Sequence, residues 1–177
     1  MPNEHLNAQA RRVVLGYDEN GKAAVVEDGF TTTRLAGKGN TKCDIWRFDR
    51  VPVPLDSSDG LTGQVITPPP PEGLLYRLTT FPPDSEWDRA IGYADANGPL
   101  PGSVPPEEVG GILGMHRTTT FDILCVLSGE LHLVLETGET LLRPGDTLVL
   151  RGQPHAWSNR TDKPATVVAL LISGVPT

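Results

Sequence analysis

Two histidines and one aspartate are the residues of this sequence whose types and spacing best suit a chemical role. His116 and Asp122 are six residues apart in a stretch of alternating apolar residues, and His155 lies in a later segment of the same kind. Because successive side chains of a β-strand point to opposite faces, residues 116 and 122 share one face of the predicted strand. If the strands that carry His116 and His155 line one cavity, the three side chains converge there. Two imidazoles and one carboxylate are the ligand set of non-haem iron sites, which leaves the other coordination positions open.

The same residues also have a purely structural interpretation. Each histidine could be a neutral core residue with one hydrogen bond, and the aspartate could pair with a histidine and hold the barrel closed. A buried carboxylate without a partner carries a heavy desolvation penalty. We therefore expect a metal ion, a protonated histidine or an arginine close to Asp122. His116 and Asp122 lie on the same face of their predicted strand, and a second histidine, His155, follows in a later segment. This arrangement favours the interpretation that the three residues bind a metal ion.

Short strands separated by glycine and proline turns are predicted around these residues. The stretch Gly110–Asn159 alternates between apolar runs and turns, and its first strand is predicted to begin near Gly110 and to carry His116. Leu74–Phe81 and Thr166–Ile172 are predicted to add two more strands. Regular spacing of this kind is typical of an antiparallel sandwich or barrel. The predicted turns are Ser128-Gly129, Thr137-Gly138 and Pro144-Gly145-Asp146.

The positions of the glycines and histidines in this stretch resemble the two motifs of the cupin family. Gly110, His116, Asp122 and Gly129 fall in the frame of the first motif, and Gly152, His155 and Asn159 fall in that of the second. The sequence around these residues is similar to that of small single-domain cupins of the cupin-2 type, which occur in bacteria and in fungal polyketide pathways. Some of those cupins are described as oxidoreductases. The resemblance implies an all-β fold, a double-stranded β-helix or jelly-roll barrel, with an N-terminal β arm.

The sequence departs from the cupin pattern at three positions. Thr118 stands where the family has a second histidine, Asp122 where it has a glutamate, and Leu150 where it has a proline. The resemblance implies a three-ligand metal site, formed by His116, Asp122 and His155, that would hold Fe(II) first, with Mn, Ni or Zn as other candidates. The missing histidine leaves a site without metal as the alternative.

Four further residues are predicted to line the substrate cavity: Thr118, Thr120, Trp157 and Tyr76. Both threonines lie on the same face of the predicted strand as His116, and Trp157 lies on the same face of its strand as His155. Arg77 is a candidate anchor for an anionic group, although the sequence does not fix the face of its strand on which it lies.

The chain divides into a predicted N-terminal arm, residues 1–66, and a cupin barrel, residues 67–177. Asn20-Gly21 predicts a hairpin between the strands Arg11–Tyr17 and Lys22–Glu27. Gly29–Asn40 is predicted as a loop and Cys43–Asp49 as a short strand. Since the arm cannot bury both of its faces on one small barrel, we expect a homodimer that uses the segment Arg11–Phe48.

The segment Pro82–Val109 is the least regular part of the sequence. A short helical turn is predicted around Glu86–Tyr93, followed by a loop rich in proline and glycine. Long irregular segments are uncommon inside compact domains and often serve as lids or binding loops, and this one leads directly into the strand that is predicted to carry His116.

Composition excludes several classes of partner and compartment. The chain of 177 residues has a net charge of −7, and its lysines and arginines form no cluster larger than a pair, so we expect neither nucleic acid nor an anionic membrane as a partner. Two isolated cysteines, Cys43 and Cys125, favour a reducing compartment. No signal core or membrane-length apolar run is seen, and the expected location is the cytoplasm.

We expect an enzyme that acts on a small organic substrate. A divalent metal on the three ligands would assist oxidation, elimination or isomerisation beside a carbonyl group. One alternative is a metal-free lyase or isomerase in which His116 or His155 is the general base, tuned by Asp122. The other is a cupin that binds a small ligand without catalysis.

Overall fold

The computed structural model describes residues 2–90 and 104–175. Within these ranges the chain is built almost entirely of β-strands, with three short 3₁₀ turns at Glu4–Asn7, Asp84–Glu86 and Pro106–Glu108. No helix in the described ranges is long and apolar enough to cross a membrane. The strands are β1 Arg11–Tyr17, β2 Ala23–Phe30, β3 Arg34–Ala36, β4 Thr41–Phe48, β5 Leu74–Phe81, β6 Thr120–Ser128, β7 Leu131–Leu135, β8 Gly138–Leu142, β9 Thr147–Leu150, β10 Ala156–Ser158 and β11 Ala165–Ser173.

Two antiparallel sheets face each other and form the barrel. The larger sheet has the strand order β3-β4-β5-β11-β6-β9, and the smaller one has the order β10-β7-β8. Apolar residues from the inner faces of both sheets meet in one core. The fold predicted from the sequence, an all-β jelly-roll barrel with an N-terminal β arm, is confirmed. The core consists of Phe81, Leu124, Val126, Leu131, Leu133, Leu142, Leu150, Trp157, Ala165 and Val167.

The turn at Ser128-Gly129 shows why glycine closes the first motif. Gly129 has a φ of +74°, in the left-handed region that side chains rarely adopt. A Cβ atom at this position would lie 2.7 Å from the Cα of Ala165. The turn between β6 and β7 therefore requires glycine both for its conformation and for its close approach to β11.

The N-terminal region contributes to the structure in two ways. Strands β1 and β2 form the predicted hairpin, which is a separate two-stranded sheet. Strands β3 and β4 instead continue the larger sheet of the barrel beside β5. The proposed division at residue 66 stays a prediction, and the cavity described below draws residues from both sides of it.

Three predictions of local structure need correction. The predicted loop Gly29–Asn40 contains the strand β3, which pairs with β4. The strand that follows Gly110 begins only at Thr120, and His116 takes part in an isolated bridge instead. Of the predicted helical turn at Glu86–Tyr93, the described part holds the end of a 3₁₀ turn at Asp84–Glu86. The rest of that turn, and the middle of the irregular segment Pro82–Val109, lie outside the described residues.

Candidate functional site

A cavity of about 110 Å³ opens between the two sheets at one end of the barrel. Its wall combines apolar residues with a set of polar and ionisable ones, which is the composition of a small-molecule site. The polar and ionisable residues of the wall are Asn40, Lys42, Thr67, Arg77, Thr79, His116, Thr118, Asp122 and His155. The apolar residues are Phe81, Leu124, Leu150, Trp157, Val167, Ala169 and Leu171.

The register of the larger sheet explains which side chains reach the cavity. Residues that pair directly across strands share a face, so each inward row can be followed from strand to strand. One row contains Asp122, Leu171 and Leu150. The next contains Asp44, Arg77, Ala169 and Leu124, and a third contains Lys42, Thr79 and Val167. The cavity wall is therefore built by β4, β5, β11, β6 and β9 together.

The two histidines are held side by side by their own backbones. The amide of each donates to the carbonyl oxygen of the other, at 2.9 Å in both directions, and the ring centroids are 4.5 Å apart. The Nδ1 atom of His116 lies 2.9 Å from the Gly114 carbonyl oxygen, and that of His155 lies 2.9 Å from the Gln153 carbonyl oxygen. Because a carbonyl only accepts, Nδ1 carries the proton in each ring and Nε2 is the basic nitrogen.

Burial keeps both imidazoles neutral. It lowers the pKa of His116 to about 4, with further contributions from the neighbouring His155 and from Lys42, and it lowers the pKa of His155 as well. A neutral imidazole is the form that accepts a proton or binds a metal ion. At pH 7 both histidines are therefore available for either role.

Asp122 responds to burial in the opposite sense. Burial raises the pKa of its carboxyl group to about 6, against a smaller lowering by a hydrogen bond from Thr120 and by the charge of Arg77. Its Oδ1 atom is buried and has no hydrogen-bond partner among the described residues. The carboxylate thus changes protonation close to neutral pH and has an unsatisfied oxygen.

Comparison with known proteins identifies this barrel. Residues 103–172 match the model of the family described as Cupin domain. These residues are similar to a cupin domain. A stretch of 114 residues is 38% identical to Phomopsin biosynthesis cluster protein C′ of Diaporthe leptostromiformis and covers 58% of this chain and 60% of that protein.

One further sequence relative and one solved structure are similar to parts of this chain. A stretch of 64 residues is 42% identical to the cupin-domain-containing oxidoreductase srdB of Neurospora crassa, covering 35% of this chain and 33% of that protein. The crystal structure of the Cupin_2 domain of an XRE family transcriptional regulator from Enterobacter cloacae aligns with 59% of this chain and 83% of that one, at 20% identity and a TM-score of 0.36. The chain thus spans about three fifths of the length of the first relative named.

The donor atoms of this cavity are of the types that bind a divalent metal, but they are not grouped closely enough to hold one. Two neutral imidazoles with anchored Nδ1 atoms, and a buried carboxylate oxygen without a partner, are the donors that such an ion requires. Within residues 2–90 and 104–175, however, no three histidine, cysteine, aspartate or glutamate side chains stand close enough to hold one ion. The structure brings His116 and His155 together and places Asp122 on the wall of the same cavity.

The residues predicted to line the cavity are distributed differently. Thr118 and Trp157 lie in the wall, whereas Thr120 does not and instead places its Oγ1 atom 2.6 Å from that of Thr118. The prediction for Tyr76 is wrong. Tyr76 pairs with Trp46 and Leu170 on the outer face of the larger sheet, where it is 38% exposed, and its neighbour Arg77 faces the cavity.

Sequence reasoning missed the contribution of β4 to the cavity. Asn40, at its start, and Lys42, within it, both lie in the wall. The available signal was the alternation of Lys42 and Asp44 with Cys43 and Ile45, which predicts a strand with one polar face.

The buried ion pair of Asp44 and Arg77 holds this side of the cavity in place. The guanidinium Nε and Nη2 atoms of Arg77 donate to the Asp44 carboxylate at 2.5 and 3.1 Å. Nη1 donates to the Thr67 hydroxyl at 3.0 Å, and Nη2 also donates to the Ile66 carbonyl oxygen. Arg77 faces the cavity as the sequence allowed, but its donors are already engaged by the protein.

Proposed function

We propose that this cupin is an enzyme whose barrel cavity binds a small organic molecule and reacts beside a carbonyl group of that molecule. The proposal rests on one observation. Three acid–base side chains, His116, Asp122 and His155, come from two distant sequence motifs and meet in a single cavity between the sheets. Perturbed ionisable groups that meet in a cavity mark active sites more often than structural positions.

The side chains have separate roles in this proposal. The Nε2 atom of His155 accepts a proton from the carbon beside the carbonyl group, because its Nδ1 atom is held by the Gln153 carbonyl oxygen. Asp122, whose pKa is about 6, returns a proton near neutral pH. Thr118 supplies a hydroxyl in the wall between the motifs, and Trp157 packs against His155 with ring centroids 5.5 Å apart.

We further propose that the enzyme binds a divalent metal ion, which His116, His155 and Asp122 would hold. With the ion bound, the Nε2 atom of His155 and the Asp122 carboxylate would be ligands, so the proton transfers described above belong to the metal-free form. Such an ion supplies Lewis acidity, which polarises a carbonyl or enolate oxygen. Fe(II) suits the ligand types best, and Mn, Ni and Zn are the other candidates. Two relatives are named as cupin-domain-containing oxidoreductases, which supports an oxidation as the reaction; we propose O₂ as its oxidant.

The test is the metal content of protein purified without chelator or nickel affinity resin. We expect wild type to bind about one ion per chain and His155→Ala to bind none while remaining folded. Asp122→Asn is expected to bind more weakly. His132→Ala is the matched control, because His132 lies on β7 outside the cavity wall. If wild type contains no metal and its melting temperature does not respond to any of these ions, the metal-dependent proposal is wrong.

A metal-free lyase or isomerase is the second candidate. It is favoured by the spacing of the side chains, since the described residues contain no three-residue ligand group. In that case His116 or His155 acts as the base without a metal. The histidine that the cupin pattern has at position 118 is then not needed as a ligand, and threonine can replace it. Activity that survives exhaustive removal of metal, but is lost in His155→Ala, would select this candidate.

We propose the reducing cytoplasm as the compartment of this cupin. The structure describes Cys43 and Cys125 as free thiols. Protein thiols stay reduced in the cytosol, whereas secreted chains tend to form disulfides.

A further inference from the structure

Lys42 places a positive charge in the cavity wall. It lies on β4 directly opposite Thr79 of β5, and both side chains line the cavity, whereas Cys43 lies on the other face of the sheet. In the described part of the chain, its ammonium group makes no hydrogen bond and no close ion pair. Burial, with a smaller effect from the charge of Arg77, lowers the pKa of Lys42 to about 8, so the amine is still mainly protonated at pH 7.

Arg77, the buried cation of this wall, is already neutralised by Asp44. Arg77 donates to both oxygens of Asp44, to the Thr67 hydroxyl and to the Ile66 carbonyl oxygen. Arg77 is therefore fixed by the protein. Asp44 acts electrostatically on Lys42 but is already paired with Arg77, so the half-buried ammonium of Lys42 can still take an anionic partner from outside the chain.

Asn40 provides a second unsatisfied polar group in the same wall. It is 6% exposed, and its Oδ1 atom is buried with no hydrogen-bond partner in the described ranges. Because the amide of asparagine can present either its oxygen or its NH₂ group, Asn40 can donate to an anion. Lys42 and Asn40 together offer donors for the two oxygens of a carboxylate.

We infer that Lys42 and Asn40 bind the carboxylate of a small carboxylic acid and hold its carbonyl-bearing end toward His116 and His155. This inference rests on the proposed function, in which the cavity is the substrate site. It narrows the substrate class to small carbonyl-containing carboxylic acids. The size of the cavity agrees with this class, because a cavity of about 150 Å³ accommodates benzene and this one measures about 110 Å³.

The experiment compares pyruvate with pyruvamide, its neutral amide of the same shape. Dissociation constants are measured by ligand-observed NMR on the full chain after removal of all metal, so that direct ligation of the carboxylate cannot contribute. We expect wild type to bind pyruvate about tenfold or more tightly than pyruvamide, as charge-assisted hydrogen bonds suggest. Lys42→Gln is expected to lose this preference while its affinity for pyruvamide changes by less than about twofold.

Two further variants show whether Lys42 binds the carboxylate directly or affects binding only through the fold or the net charge of the protein. Lys42→Arg keeps the charge and is expected to retain most of the preference for pyruvate. Lys22→Gln removes an exposed lysine of the β1–β2 hairpin loop and is expected to behave as wild type. Melting temperatures of all variants show whether the fold is intact.

The outcomes distinguish this inference from the metal-dependent proposal. If wild type binds neither compound, binds both equally, or keeps its preference in Lys42→Gln, the inference is wrong, whatever the metal content of the protein. If the preference depends on Lys42 but wild type binds no divalent metal, the inference stands and the metal-dependent proposal fails.

Discussion

Burial in the cavity acts in opposite senses on the histidines and on Asp122. A low-dielectric environment disfavours the charged form of each group, which lowers the pKa of His116 to about 4 and raises that of Asp122 to about 6. Between pH 4 and 6 the His116 imidazole is then mainly neutral while the Asp122 carboxyl group is mainly protonated, and above pH 6 the carboxyl group is mainly ionised. Such a separation between an acid and a base is what proton transfer on one small molecule requires.

The raised pKa of Asp122 predicts a pH-dependent effect of Asp122→Asn on stability. The folded pKa of about 6 exceeds the unfolded value of about 3.9, so the folded state binds more protons between these two values. The ionised side chain therefore lowers stability increasingly as pH rises from about 4 to 6, and fully above that. In metal-free protein we expect Asp122→Asn to be more stable than wild type by about 3 kcal/mol at pH 7 and nearly equal to it near pH 4.

Chemical denaturation at several pH values between 4 and 7 measures this difference. Asp162→Asn, at an exposed carboxylate in the turn before β11, is the control and is expected to show no such trend. A difference between wild type and Asp122→Asn that is constant with pH would refute an Asp122 pKa near 6.

Thr118 gives a second prediction at the scale of single residues. It lies in the cavity wall at the position where the cupin pattern has another histidine. If a metal binds as proposed, Thr118→His adds a fourth ligand and is expected to tighten metal binding by tenfold or more, as judged by competition with a chelator, and to slow turnover by filling an open coordination position. Thr118→Val, which removes only the hydroxyl, is the control. Equal metal affinity of wild type and Thr118→His would place the metal elsewhere.

At the scale of elements, the Asp44–Arg77 pair joins β4 to β5 and to the segment at Ile66 and Thr67. Removal of one partner leaves a buried charge uncompensated, which commonly destabilises a protein by about 3–5 kcal/mol. We expect Asp44→Asn and Arg77→Met each to show a loss of this size in the free energy of unfolding. The double variant Asp44→Asn/Arg77→Met is expected to lose less than the sum, because no unpaired charge remains.

A double-mutant cycle by urea denaturation tests this coupling between β4 and β5. Losses that simply add would show that the pair does not hold the two strands together. The exposed pair of Arg11 and Asp28 on the hairpin serves as a comparison, because solvent screens ion pairs at the surface and they contribute little to stability.

The sequence predicted the strands well where alternation and turn residues agreed. The bounds of β5 and the burial of Thr120, Asp122, Leu124 and Val126 on one face of β6 followed directly from these patterns. The sequence could not predict which residues of β5 face the cavity, because apolar residues occupy both faces of this strand. The pairing of Tyr76 with Trp46 and Leu170 sets its phase, and that contact is between distant parts of the chain.

Only part of the candidate site could be predicted from the sequence, because some of its residues reach the cavity through contacts between distant parts of the chain. The two histidines and Asp122 lie in local motifs, whereas Lys42 and Asn40 reach the cavity only because β4 pairs with β5 across more than thirty residues. The strand predicted from Gly110 was too long. Gly110, Gly111 and Gly114 all have positive φ angles, which replace an extended strand by turns before the His116–His155 bridge.

At the scale of the whole molecule, the hairpin of β1 and β2 has an apolar face that this single chain leaves uncovered. Leu15 and Tyr17 are 71% and 77% exposed, and Val13, Val25 and Phe30 lie on the same face. Arg12 anchors the hairpin to the barrel through Asp59 at 2.7 Å and lies over the ring of Trp46. Since exposed apolar patches of this kind mark interaction sites, we propose that a second copy of the chain covers the hairpin in a homodimer.

Replacement of the most exposed apolar residues of the hairpin tests the dimer. We expect wild type at micromolar concentration to show twice the 19.0 kDa mass of one chain by light scattering, and Leu15→Ser/Tyr17→Ser to show the mass of one chain. The variant should keep the barrel and its cavity, because the hairpin is a separate sheet that contributes no residue to the cavity wall. Leu55→Ser, at a fully exposed leucine outside the hairpin, is the control and should remain dimeric. A wild-type mass of 19.0 kDa, or a dimer that persists in the double variant, would contradict an interface at this face.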